Sequence, residues 1–121
     1  MKPHFRILVI DDEPLIRRAC KKLFESTSST VVVAEDGLQG LELWKREPFD
    51  FVFLDIIMPG LNGWEVLEQK GSWEGTRVQL MSAFTGDISE KKIWIEKVDG
   101  FLQKPFDNVL KIREWVESFR S

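Results

Sequence analysis

Short apolar runs alternate with segments of helical periodicity five times along the chain. The runs are FRILVI ending at Ile10, TVVVA ending at Ala34, FDFVFL ending at Leu54, RVQLM ending at Met81 and GFLQ ending at Gln103. Several of these runs lack strict alternation, which is typical of strands covered on both faces in a parallel sheet. They therefore predict five strands of one parallel sheet.

The segments between the runs carry apolar side chains three and four residues apart, which is the pattern of one buried helix face. In the first segment these side chains are Ile16, Ala19, Cys20, Leu23 and Phe24, and in the last they are Val109, Ile112, Val116 and Phe119. Pro14 suits the first turn of a helix, where its missing N–H group needs no partner. Five such units predict an open, doubly wound α/β sheet, because right-handed crossovers place helices on both faces.

Composition limits the function classes. The 121 residues, 43% of them hydrophobic, predict one compact domain over residues 1–121. A net charge of -3 without a basic block argues against direct nucleic-acid binding. No apolar run approaches the ~20 residues that span a bilayer, so no membrane segment is predicted. Cys20, the one cysteine, favours a reducing compartment with the cytoplasm as default, and its place on the apolar helix face predicts a buried, inert thiol.

Polar side chains lie directly after the predicted strands. They are Asp11, Asp12 and Glu13 after the first strand, Asp55 after the third, Ser82 after the fourth and Lys104 after the fifth. In a doubly wound sheet the functional site lies outside the carboxyl ends of the strands, near the point where strand order reverses. Carboxylates, a hydroxyl and an amine should therefore meet at one edge.

Such a cluster has a defined chemistry. Carboxylates close together raise one another's pKa and need a cation to stay ionised at neutral pH. Magnesium is the natural one, since it is held by one or two carboxylates together with a phosphate. Lys104 and Ser82 are suited to hold phosphoryl oxygens, and an aspartate can act as the nucleophile that forms an aspartyl phosphate. The set indicates a site where a phosphoryl group is placed on an aspartate.

Each residue alone also has a simpler interpretation. Asp11 and Asp12 would serve as helix N-caps, and Asp55 as a turn former before the glycines of MPGLNG. Lys104 would be a solvated surface lysine, and Ser82 a hydroxyl satisfied at a strand end. Their joint occurrence at the carboxyl ends of one sheet favours the functional interpretation.

Four motifs occur in order: LVIDDE at Leu8–Glu13, DIIMPGLNG at Asp55–Gly63, MSA at Met81–Ala83 and FLQKPF at Phe101–Phe106. In these motifs the chain resembles the receiver domain of two-component response regulators over essentially its whole length. The resemblance implies a flavodoxin-like (βα)5 sheet of strand order 2-1-3-4-5. It also implies phosphorelay signal transduction, in which a phosphohistidine donor passes its phosphoryl group to an aspartate in the presence of Mg2+, with Mn2+ as an alternative.

The resemblance assigns roles to residues at the site. Asp55 matches the phosphoacceptor, and it would bind the metal together with Asp12 and the backbone carbonyl of Ile57. Asp11 would bind the metal through water. A bulky residue at position 57, two after the phosphoacceptor, and Phe84, two after the hydroxyl, are expected to hinder hydrolytic water and prolong the acyl phosphate.

Further roles concern switching. Ser82 and Lys104 would contact the phosphoryl group, and Ser82 and Phe101 would move together on activation. The Lys104–Pro105 peptide bond is expected to be cis, which X–Pro bonds permit.

A further expectation concerns the fourth helical segment, where a stripe of Ile88, Ile95 and Val98 should face the sheet and turn Ile93 and Trp94 outward as a candidate partner surface. The simpler interpretation is that Trp94 lies flat on a neighbouring side chain.

The implied partners are a sensor histidine kinase or phosphotransfer protein and an unidentified output domain or target, with a phosphorylation-dependent homodimer left open. The chain would be a switch rather than an enzyme, free-standing or cut from a longer regulator or hybrid kinase. An aspartyl phosphatase would need an acid at position 57, which is Ile57, and a flavin carrier would not place DDEP against a phosphate. A pseudo-receiver that binds partners without phosphorylation is the main alternative.

Overall fold

The computed structural model describes residues 4–83, 92–106 and 108–120. Within these ranges five strands alternate with five helices. The strands are β1 (Phe5–Ile10), β2 (Ser29–Ala34), β3 (Phe51–Asp55), β4 (Arg77–Ser82) and β5 (Gly100–Gln103). The helices are α1 (Pro14–Glu25), α2 (Gly37–Arg46), α3 (Gly63–Lys70), α4 (Lys92–Lys97) and α5 (Val109–Glu117). Pro14 opens α1, as the sequence predicted.

The sheet is parallel throughout and has the strand order β2-β1-β3-β4-β5. From β2 the chain crosses over β1 to reach β3 and then continues outward to β5, so the direction of winding reverses between β1 and β3. This topology confirms the doubly wound, flavodoxin-like fold. It also places the crevice of such a sheet at the carboxyl ends of β1 and β3.

The strands bury alternate side chains on opposite faces of the sheet, which explains why their apolar runs lack a period of two. On one face, a core cluster joins the sheet to α2 and α3 through residues such as Leu41 and Val66. On the other face, a second cluster joins it to α1 and α5 through residues such as Phe24 and Val116. Two filled layers hold the strand ends in place.

Two strands extend further than the sequence predicted. Asp55 is the last residue of β3 and Ser82 the last residue of β4, although both were expected just beyond their strands. The ladder even continues past β3, because the N–H of Ile56 donates to the carbonyl of Met81 at 2.9 Å. The main chain of Asp55 is therefore held by the sheet rather than by a loop.

Helix α4 corrects the prediction for Trp94. This side chain is half-buried and packs, with Val98, against the core cluster that α2 and α3 share. The two residues are four positions apart and so occupy the same helix face, which means that Trp94, predicted to face outward, joins Val98 on the packed face. The ammonium of Lys97 lies 5.3 Å from the ring centroid of Trp94. Ile93 is 67% exposed, as expected, whereas Ile88 lies outside the described residues.

Cys20 is buried between the sheet and the α1–α5 layer. Burial, with a smaller contribution from the charge of Asp11, raises the pKa of its thiol to about 12. The prediction of a buried, unreactive thiol is confirmed. In the part of the chain that the structure describes, no helix is long and apolar enough to cross a bilayer.

Candidate functional site

The carboxylates after β1 are positioned by an abrupt change from strand to helix. The N–H of Asp11 donates to the carbonyl of Ala34 at 3.1 Å, which continues the parallel ladder beyond β1. The Oδ1 of Asp11 accepts the N–H of Glu13 at 2.8 Å, and α1 begins at the next residue. Glu13 is the N-cap residue, and its side chain makes no capping hydrogen bond. The N-cap interpretation of Asp11 and Asp12 is therefore wrong, because the helix begins after both.

The segment after Asp55 turns directly into α3. Gly60 has a φ of +73°, in the region that favours glycine. Gly63 has ordinary backbone angles but is required for another reason, since a Cβ atom there would lie 2.6 Å from the carbonyl oxygen of Asp55. Gly60 thus supplies a left-handed backbone conformation, whereas Gly63 supplies the space for close packing. Asn62 and Glu65 fix the start of α3 with reciprocal capping hydrogen bonds.

Four carboxylates meet at this edge of the sheet. Asp11, Asp12, Glu13 and Asp55 each offer an oxygen atom, and these four atoms lie within 4.8 Å of one another. Asp11 and Asp55 are buried, Asp12 is half-buried and Glu13 is exposed. The cluster thus runs from the core to the surface.

Lys104 brings the positive charge. Its Nζ lies 2.7 Å from Oδ2 of Asp11, 2.9 Å from Oε1 of Glu13 and 3.3 Å from Oδ2 of Asp55. The residue follows β5, where its N–H donates to the carbonyl of Ser82 at 2.8 Å and its peptide bond to Pro105 is cis. The last residues of β4 and β5 therefore aim this ammonium at the carboxylates of β1 and β3.

The charges at the site are not balanced. Burial first, and then the charge of Asp11, raises the pKa of Asp55 to about 7, against the opposing effects of Lys104 and of the Ile57 N–H, which lies 3.3 Å from Oδ1 of Asp55. Burial alone would lower the pKa of Lys104, but hydrogen bonds to Asp11 and Glu13 outweigh it and raise the pKa above its ordinary value. The carboxylates are thus held together with more negative charge than one ammonium neutralises.

The donor set fits a hard divalent cation. Carboxylate oxygens are the ligands that Mg2+ prefers, and a site with one or two of them leaves room for water and phosphate oxygens. A divalent ion would also oppose the rise in the pKa of Asp55, since a nearby positive charge favours the ionised carboxyl.

The structure brings Asp11, Asp12, Asp55 and Lys104 together, and Ser82 is buried beside them at the end of β4. The backbone of Ile57 adjoins this cluster, since its N–H lies 3.3 Å from Oδ1 of Asp55, whereas Pro105, Phe101 and Trp94 lie outside it. The side chain of Ile57 is 56% exposed, Pro105 is exposed, and Phe101 is half-buried against the α2–α3 core cluster. Trp94 makes its described contacts with that cluster and with Lys97 rather than with the carboxylates.

Two contributors to the site had no role in the sequence interpretation. Glu13 was placed at the correct edge, but its ion pair with Lys104 joins residues 91 positions apart. Arg17 donates from Nη1 to the carbonyl of Asp11 at 2.8 Å and so ties the turn after β1 to α1. The acidic run DDE was the available indication for Glu13, whereas no sequence pattern points to Arg17.

Known proteins share the sequence and the fold. The family model described as the response regulator receiver domain matches residues 7–116. The transcriptional activator protein PfeR of Pseudomonas aeruginosa is 38% identical over 104 residues, which are 86% of this chain and 34% of PfeR. Protein PilH of the same organism is 32% identical over 105 residues, covering 84% of this chain and 87% of PilH. The chain spans 42% to 49% of the length of several other curated relatives.

A solved structure shares both sequence and fold with this chain. Response regulator protein TrrA of Thermotoga maritima, in complex with Mg2+ and BeF, superposes with a TM-score of 0.77 at 32% identity. The superposition covers 94% of this chain and 97% of that chain. Sequence and fold therefore point to the same family.

Proposed function

The chain belongs to the response regulator receiver domain family, and from that membership we propose that it accepts a phosphoryl group on Asp55 and thereby switches a partner-binding face. The observation that carries this proposal is the contact of Lys104 with Asp55, 3.3 Å apart, inside a cluster of four carboxylates at the carboxyl end of the sheet. Nucleophile, cation and acidic pocket are thus in one place.

Asp55 is the proposed nucleophile. One of its carboxylate oxygens attacks the phosphorus of a phosphohistidine, a new O–P bond forms, and the N–P bond breaks with its electron pair passing to the imidazole. The Lys104 ammonium, fixed beside Asp55, places positive charge next to the oxygens of the transferring group. The buried Asp11 keeps that ammonium in position through a 2.7 Å ion pair.

Receiver domains bind Mg2+ at an acidic pocket, and this chain has such a pocket. A bound Mg2+ would supply the charge that keeps Asp55 ionised and neutralises phosphoryl oxygens. In our proposal Asp12, Asp55 and the Ile57 carbonyl hold the ion directly, and Asp11 holds it through water. None of these observations bears on Mn2+.

The switch is proposed to run from Ser82 to the outer strand of the sheet. Ser82 is the last residue of β4. Phe101 in β5 pairs with Leu80, which also lies in β4. Phe101 shares its core cluster with Trp94, so a movement of Ser82 toward a phosphoryl group on Asp55 would be felt at α4. Ile93, exposed on that helix, is the proposed point of partner contact.

Receiver domains of response regulators work with histidine kinases or other phosphodonors and with output domains. For this chain we propose a sensor histidine kinase or a phosphotransfer protein as donor, in the cytoplasm, and a phosphoacceptor role without turnover of an external substrate. The single-domain organisation and a phosphorylation-dependent homodimer stay predictions. Nothing in the site favours the pseudo-receiver, since its acidic, hydroxyl and lysine residues are all in place.

The test is intact mass after incubation with a small acyl phosphate donor. Wild type and Asp55→Asn are compared with Mg2+ and with a chelator, and Asp36→Asn, an aspartate that caps α2, serves as the matched control. We expect one phosphoryl adduct that requires Mg2+, persists in the control and is lost in Asp55→Asn. A wild type without an adduct under all conditions would overturn the proposal and leave the pseudo-receiver.

A further inference from the structure

The three carboxylates around Lys104 differ in the free energy that it costs to break their contact with the ammonium. Asp11 has no exposed surface, and Asp55 is 2% exposed. The side chain of Glu13, in contrast, is 55% exposed, although its Oε1 lies 2.9 Å from the same ammonium. A carboxylate that loses its partner at the surface is rehydrated, whereas one inside the protein is left as an uncompensated buried charge.

The Lys104 ammonium donates hydrogen bonds to Glu13 and Asp55 and forms an ion pair with the buried carboxylate of Asp11. A phosphoryl group on Asp55 would draw on the same ammonium, in competition with its contacts to Asp11 and Glu13. Releasing Asp11 would leave a buried carboxylate without compensation, so the contact to Glu13 costs least to break. Glu13 is also free of a helix-capping duty, since its side chain makes no capping hydrogen bond.

We propose that Glu13 is a displaceable partner of Lys104, which occupies the ammonium while Asp55 is unmodified and competes with the phosphoryl group for it. This inference rests on the proposed function, because it names a contact that would compete with the phosphoryl group for Lys104. Glu13 is a positioning residue in this scheme, since it acts through Lys104. Its negative charge at the mouth of the site also opposes entry of an anionic phosphoryl donor.

Removing the charge of Glu13 should therefore favour the phosphorylated arrangement. An exposed ion pair of this kind is weak, and its loss corresponds to an increase in affinity of about two- to fivefold for a group that needs the same ammonium. The probe is beryllium fluoride in saturating Mg2+, titrated into wild type and Glu13→Gln and followed by amide NMR. Saturating Mg2+ separates this effect from any change in metal affinity.

Glu35→Gln is the matched control. Glu35 follows β2 at the same edge, next to the Ala34 carbonyl that accepts from Asp11, and it is exposed. Among the described residues it makes no contact with Lys104. The control removes one negative charge from this edge and leaves the Lys104 contacts intact, so we expect its beryllium fluoride affinity to equal that of wild type.

A second readout observes the ammonium itself. The 15N resonance of Lys104 Nζ should shift when beryllium fluoride binds wild type, and in Glu13→Gln without the probe it should already differ from wild type. Equal affinities in wild type and Glu13→Gln, or an unchanged Nζ resonance, would overturn the inference while leaving the phosphoacceptor intact. If wild type neither binds beryllium fluoride nor gains a phosphoryl adduct, the proposed function itself fails.

Discussion

Two buried cations lie at opposite edges of the sheet, and each is 8% exposed. Arg120, at the amino edge, donates from Nε to both carboxylate oxygens of Glu117 at 2.9 Å and from Nη2 to Ser29 at 2.8 Å, and its guanidinium lies 4.4 Å from the ring centroid of Phe5. Lys104, at the carboxyl edge, contacts three carboxylates at once. Arg120 therefore pairs with one carboxylate, whereas Lys104 lies among more negative charge than it neutralises.

The difference separates a structural contact from a functional one. Arg120 and Glu117 form a pair of one cation with one carboxylate, and the guanidinium's contacts with Ser29 and Phe5 fasten the end of α5 to β2 and β1. The cluster around Lys104 is complete only when more positive charge enters it, and its ammonium can then exchange one partner for another. Burial is the same in both places, so charge balance rather than burial identifies the working end of the molecule.

Replacing each of the two cations in turn should give the largest difference in stability between the two edges. Lys104→Met leaves Asp11 and Asp55 without an ammonium inside the protein, and we expect the free energy of unfolding at pH 8 without metal to fall by about 3 kcal/mol. Arg120→Met leaves Glu117, whose side chain is 30% exposed and can be rehydrated, so about 1 kcal/mol should be lost. Urea unfolding of both variants measures the difference. Equal losses would contradict the contrast between the two edges.

The second prediction concerns pH. The pKa of Asp55 in the folded chain, about 7, lies above its ordinary value of 3.8, so the folded state binds the proton more tightly than the unfolded state. Its contribution to stability is therefore fully present below about pH 4 and is lost as the pH rises through 7. Asp55→Asn removes this loss, and in chelator the variant should have a higher free energy of unfolding than wild type at pH 8.

The difference in free energy of unfolding between Asp55→Asn and wild type should decrease steadily toward pH 4. Thermal and urea unfolding measure it. Glu35→Gln, which changes an exposed carboxylate, supplies the baseline for the same pH range. A stability difference that does not change with pH would show that Asp55 is not the group whose ionisation burial opposes.

The smallest expected effect concerns the lifetime of the acyl phosphate. Ile57 presents an exposed apolar side chain two residues after Asp55 and cannot orient a hydrolytic water. Ile57→Asn supplies one hydrogen bond to that water, which corresponds to about 1 kcal/mol in the barrier and about a fivefold faster hydrolysis. Loss of the mass adduct over time measures the rate, with Ile93→Asn, equally exposed on α4, as control. An unchanged lifetime in Ile57→Asn would refute the shielding role.

The sequence predicted the sheet, the order of its elements and the edge that carries the site, because apolar runs and helix stripes report burial directly. It did not predict that Asp55 and Ser82 end strands rather than follow them, since hydrogen bonds to a neighbouring strand decide where a strand stops. It turned Trp94 outward because the pattern of a short helix does not decide which of two adjacent residues, Trp94 or Ile95, joins Val98 on the packed face.

Contacts between distant residues were hardest to foresee. The residue types at the site were identified, but the pairing of Glu13 with Lys104 depends on how closely β1 and β5 approach across β3 and β4. The hydrogen bond from Arg17 to the Asp11 carbonyl depends on the angle at which α1 leaves the sheet. Such details follow from packing geometry, which a linear pattern does not contain.

The close approach at Gly63 limits the independent movements available to the molecule. The first turn of α3 packs so closely on the backbone of Asp55 that no Cβ atom fits between them. The N–H of Gly63 also donates to the carbonyl of Ile56 at 2.9 Å. Asp55 and α3 therefore move together. If Asp55 is phosphorylated as proposed, we expect the displacement on the other side of β3, in β4, β5 and the helices attached to them, which gives the response of the domain a direction.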